Sequence, residues 1–134
     1  MCHNRYVVAM FPGPPLTLCR VLTWCCVVLL AVLSLLPAQE MVRTGIPGQL
    51  EHFIAYAGSV TIAMLGYQHS QGTVRIVGLF CSYAAILELL QHLSPGRHPS
   101  IADFAASALG ALAGGLGALL VSRRLRKARR PEAG

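Results

Sequence analysis

The sequence predicts an all-α, polytopic membrane protein with four transmembrane helices in an antiparallel bundle. Three observations carry this reading. Four long apolar runs are separated by short segments rich in Pro and Gly. Only 12% of the residues are charged, about half the share usual in a soluble domain. Six of the eleven basic residues crowd between positions 123 and 130, just past the last apolar run, where such groups set orientation or touch anionic lipid. The length of 134 residues suits one domain. The formal charge of +6 comes without an aromatic-interleaved groove or recognition motif, so the chain does not read as a nucleic-acid binder.

Residues 1–15 form a polar, proline-rich leader without helical period, and Met10 offers an alternative start. The first predicted span covers residues 16–36, with Arg20 snorkelling to the interface and Pro37 ending the run. A secretory signal competes, with Arg20 as its basic region and Leu36-Pro37-Ala38 as a loose cleavage site. The long leader and the poor small-residue signature favour an uncleaved span. The second span, residues 50–67, opens with Glu51 and His52. Its residues His52, Tyr56, Ser59 and Ala63 share one helical face, a polar-to-small stripe suited to close packing.

A short loop over residues 68–73 leads to the third span, residues 76–93. Glu88, Gln91 and His92 fall on one face there, with Glu88 about 8 Å inside the helix end. The fourth span, residues 101–121, aligns Asp103, Ser107, Gly110 and Gly114. Gly110 and Gly114 form a G-x-x-x-G, extended by Ala106 and Ala118, that serves either intramolecular helix packing or association with another membrane protein. Residues 122–134 form a basic cytoplasmic tail.

With both termini cytoplasmic, the inner segments hold nine basic residues and the outer loops only Arg43 and Arg97. The turn at residues 94–100 is too short for anything but antiparallel neighbours. This topology gathers a candidate polar site at the outer face from His52, Tyr56, Glu88, Gln91, Arg97, Asp103 and Ser107. Ionisable groups are costly near hydrocarbon and mark functional sites there. Glu88 and His52 form either an acid/base pair or a hydrogen-bonded packing pair. Arg97 either clamps an anion with its fork or pairs with Asp103 or Glu88. Ser100 and Asp103 fit a capping box. His69, His92 and His98 lack spaced partners, so no metal is expected, and no motif calls for a cofactor. The five cysteines form no framework and read as small apolar residues.

The segments P-G-Q-L-E-H-F-I-A-Y at 47–56, E-L-L-Q at 88–91, P-G-R at 95–97 and S-I-A-D-F-A-A-S-A-L-G at 100–110 stand in an order and spacing that resembles the VanZ-like family. These are small bacterial integral membrane proteins, named for an accessory protein that lowers susceptibility to a lipoglycopeptide antibiotic. The chain departs from the family pattern at Gly48 and Gln49, where an Asp-Lys pair is usual, and at Ser107, where asparagine is usual. The resemblance implies an inner-membrane setting in the bacterial cell envelope and supplies no reaction. Three functions follow as expectations. The first is a pocket for a lipid-linked or glycopeptide-like ligand at the outer leaflet. The second is an intramembrane acid/base enzyme acting on a phosphorylated lipid or cell-wall intermediate. The third is a helper subunit that meets its partner through Gly110 and Gly114.

Overall fold

The computed structural model describes residues 15–40 and 45–128. The expected leader up to residue 14 and the tail beyond residue 128 lie outside the described residues. Four helices follow in order: α1 (Leu16–Leu35), α2 (Gly48–Gln71), α3 (Thr73–Leu90) and α4 (Ile101–Ala128). Short 3₁₀ turns at Ala38–Glu40 and Gln91–Leu93 complete the architecture, and no strand occurs among the described residues.

Proline and glycine set the boundaries. Pro15 precedes the first turn of α1, and Leu36 leaves the helix with ψ 134°, because Pro37 bars the α region to the residue before it. α2 starts after Pro47, whose carbonyl accepts from the Leu50 and Glu51 amides. It then runs four residues beyond its expected end, so the loop anticipated at 68–73 shrinks to Gly72. Gly72 sits at φ 76°, a conformation glycine adopts without steric cost. α4 likewise continues past residue 121, carrying Arg123 and Arg124 in helix where a tail was expected.

Contacts between named pairs give the relative directions. Cys19 and Arg20 of α1 lie against Gly66 of α2, while Leu33 and Ser34 line one cavity with Gly48 and Glu51, so α1 and α2 run oppositely. Tyr83 meets Val27 and Gln91 meets Ser34, so α3 runs with α1. Phe53 faces Gly110 and Ala57 faces Gly114, so α4 runs with α2. The two glycines explain the closeness of that last pair. A Cβ at Gly110 would lie 2.3 Å from the Phe53 carbonyl oxygen, and one at Gly114 would lie 2.3 Å from that of Ala57. The G-x-x-x-G face is therefore covered by α2 of the same chain.

α2 touches each of the other three helices and is the most enclosed. Its inward residues Tyr56, Val60, Ala63 and Met64 form the core with Ile76, Phe80 and Ala84 of α3 and Ala111 of α4. The predicted stripe of α2 is this buried face. α1, α3 with its 3₁₀ turn, and α4 through Arg124 are long and apolar enough to cross a membrane. α2 is not among them, because Glu51, His52, Tyr56, Ser59 and Thr61 dilute its apolar content. Of these, Tyr56 and Ser59 are buried against the neighbouring helices.

Candidate functional site

The end of α1, the starts of α2 and α4, and the 3₁₀ turn after α3 meet at one end of the molecule. Most of the ionisable residues singled out in the sequence lie there, and their hydrogen bonds divide them into two groups.

The first group holds the fold. Glu88 is buried, and its Oε1 accepts from the Ser100 amide. This replaces the expected approach of Glu88 to Asp103 or Arg97. Two effects favour it: the start of α4 exposes amides that lack intrahelical partners, and its dipole attracts a carboxylate. The capping box is thus only half formed. Ser100 Oγ lies 3.4 Å from the Asp103 amide, but the Ser100 amide goes to Glu88 of α3.

Arg97 serves the end of α1. Its Nη2 donates to the carbonyls of Leu33 and Ser34 at 2.8 and 3.1 Å, which belong to the last turn of α1 and lack intrahelical donors. Ser94 Oγ donates to Leu35 O at 2.9 Å, and Gln91 Nε2 donates to Ser34 Oγ at 3.0 Å. The turn between α3 and α4 therefore caps α1 from outside, and the expected Arg97 pairings with Asp103 or Glu88 are replaced by backbone carbonyls. The Arg97 Nε is buried without a hydrogen-bond partner. His92 was expected beside Glu88 and Gln91 but is exposed. The helix tightens to three residues per turn at Gln91–Leu93, which rotates His92 off that face.

The second group lines a cavity of about 480 Å³ between α1, α2 and the start of α4. Of the expected site residues, His52, Tyr56, Arg97 and Asp103 border it, while Glu88, Gln91 and Ser107 do not. Leu30, Leu33, Leu36 and Ala55 supply the apolar part of the lining, and Ser34, Glu40 and Glu51 add polar atoms to it. Asp103 is held by Gln49, whose Nε2 donates to Oδ1 at 2.9 Å. Gln49 thus holds the aspartate by a hydrogen bond from a neutral amide. Ser107 is buried; its hydroxyl donates to the Asp103 carbonyl at 2.9 Å and lies 3.3 Å from His52 Nδ1.

Sequence reasoning did not place Glu40 or Ser34 here. The available signal for Glu40 was its position three residues after Pro37, in a loop short enough to fold back. The loop is tied down by the Ala38 amide, which donates to Pro95 O at 3.3 Å. Tyr56 packs edge-on against Phe80 with ring centroids 6.4 Å apart, fixing its ring at the cavity floor. Among the described residues no cluster of three His, Cys, Asp or Glu side chains could hold a metal. The cysteines among the described residues, Cys19, Cys25, Cys26 and Cys81, are free thiols.

The cavity presents aliphatic side chains together with carboxylates, an imidazole and a phenol. Ser107 and His52 do not make an accessible nucleophile and base, since Ser107 is 2% exposed and lies outside the cavity lining. No family model, curated protein or solved structure matches the chain.

Proposed function

We propose that this chain is a VanZ-like integral membrane protein of the bacterial envelope that crosses the inner membrane four times with both termini cytoplasmic. In this reading the cavity at the outer end binds the head of an amphiphilic ligand, a lipid-linked envelope precursor or a glycopeptide-like molecule. One observation carries the binding function: one cavity is lined by Leu30, Leu33 and Leu36 together with His52, Glu51 and Asp103. A site with apolar walls and a few convergent polar groups is how small-molecule pockets are built. The uneven charge supports the orientation, since basic residues cluster in the last turns of α4 and just after it and are sparse between the other helices. α2 crosses as a protein-surrounded fourth span, its polar atoms turned toward the bundle.

The anion-clamp role of Arg97 has little support, because the α1 carbonyls already use its Nη2. The acid/base role of Glu88 fares no better, because Glu88 caps α4 and does not border the cavity. A helper role through Gly110 and Gly114 would require a partner to displace α2.

Native mass spectrometry of the detergent-extracted protein tests the reading. An amphiphile should copurify with the wild type, and its occupancy should fall in His52→Ala and Asp103→Asn variants that retain wild-type thermal stability. Unchanged occupancy in both variants removes the cavity as the binding site. Labelling of a cysteine introduced at His98 by a membrane-impermeant reagent tests the orientation; labelling only after lysis reverses it.

A further inference from the structure

A second cavity, about 420 Å³, lies toward the opposite end of the molecule and has no part in the proposed function. Its walls are Trp24 and Val27 of α1, Ala63 and Tyr67 of α2, and Leu79 and Phe80 of α3. It exists because α1 and α3 both pack on α2 and meet each other only sparsely. Where they do meet, the Tyr83 hydroxyl donates to Val27 O at 2.7 Å and closes one end of the groove. Trp24 and Leu79 at its rim are 64% and 60% exposed, and both belong to helices apolar enough to cross a membrane. The groove therefore opens sideways toward hydrocarbon. From Ala63 to Gln71 it follows α2 for eight residues, about 12 Å, against about 15 Å for half a bilayer core.

A cation is fixed beside this groove. Arg20 stands one turn before Trp24 and is exposed. Its Nε donates to Gly66 O at 3.2 Å, and its guanidinium lies 5.3 Å from the centre of the Tyr67 ring, itself part of the wall. Gly66 permits this approach, since a Cβ there would already lie 3.3 Å from the Arg20 backbone nitrogen. The described carboxylates, Glu40, Glu51, Glu88 and Asp103, all belong to segments at the other end.

The geometry points to a specific site for an anionic phospholipid, with one acyl chain in the groove between α1 and α3 and its phosphate against Arg20. Hydrocarbon is the medium the groove opens into, and the fixed guanidinium next to it, with no acidic neighbour among the described residues, selects negative headgroup charge. The inference rests on α1 and α3 lying in a bilayer, and its test separates the two ideas.

Trp24 is the only tryptophan in the chain and lines the groove, so its fluorescence reports the occupant. The full chain is placed in phosphatidylcholine nanodiscs with rising fractions of phosphatidylglycerol or phosphatidylcholine brominated on the acyl chain. Half-quenching is expected at an about fivefold lower fraction of the anionic lipid, with the preference lost in Arg20→Gln. Equal quenching by the two lipids overturns the proposal, as does a preference that survives Arg20→Gln. Should Arg20→Gln fail to fold, Leu79→Phe at the exposed rim obstructs the groove without altering charge and should lower the preference; an unchanged preference overturns the site. Quenching by neither lipid also overturns it. A second copy then covers the groove if the chain crosslinks as a dimer, and α1 lies outside the bilayer if it does not.

Discussion

At one end of this molecule the ionisable side chains are drawn into backbone hydrogen bonds: Glu88 on the start of α4 and Arg97 on the end of α1. At the other end Arg20 touches one carbonyl and one ring and is otherwise exposed. The cavities follow the same division. The first is bordered by carboxylates, His52 and Arg97, and the second by aromatic and aliphatic side chains. The contrast teaches that rarity of a charge in an apolar chain does not by itself assign chemistry. Helix ends buried in a bundle leave backbone groups that need partners, and the scarce charged residues are the strongest partners available.

The comparison can be broken in several places. The largest effect is expected at the α2–α4 contact that joins the two ends. Gly110→Ala or Gly114→Ala pushes a methyl into a backbone carbonyl and should destabilise by about 3 kcal/mol. Gly117→Ala meets nothing within 4 Å and should be neutral or slightly stabilising. Thermal unfolding in detergent compares them, and equal midpoints for all three would remove the glycine contact from the fold.

Next comes Glu88→Ala, which leaves the Ser100 amide unpaired and should cost about 2 kcal/mol. Ligand occupancy of the cavity should be unchanged at temperatures where the variant is folded. Lost occupancy in the folded variant would return Glu88 to the site. Arg97→Lys keeps the charge and loses the fork on the α1 carbonyls, for about 1–2 kcal/mol. If the change instead weakens ligand binding with no fall in melting temperature, Arg97 is a ligand group rather than a cap. The smallest effect is expected from Tyr83→Phe, which removes the hydroxyl bond to Val27 O and should lower stability by about 1 kcal/mol. The polar cavity should keep its ligand, and any loss there would couple the two ends.

Much of the fold was legible in the chain. The four helices, the bend at Pro95–Gly96 and the inward stripe from His52 to Ala63 follow from hydrophobic period and breakers. The helix ends were less legible: α2 reaches Gln71 and α4 reaches Ala128, because polar and basic residues continue a helix once packing has started it. For the candidate site, the sequence gathered its residues toward one end of the molecule, and four of them, His52, Tyr56, Arg97 and Asp103, line the cavity found there. It did not separate them from Glu88, Gln91 and Ser107. Whether a carboxylate faces a cavity or a backbone amide depends on a neighbouring helix that no local pattern describes.

By itself the sequence determined the composition of each helix: which residues are apolar, where proline and glycine stop the chain, and which stretches hold charge. Those are local properties, set by side-chain chemistry and backbone sterics within a few residues. Tertiary structure alone decided that Gly110 and Gly114 face Phe53 and Ala57, that Arg97 caps α1, and that α1 and α3 stand apart around a groove. Each of these depends on the register between helices distant in sequence, which close packing across the whole bundle sets at once.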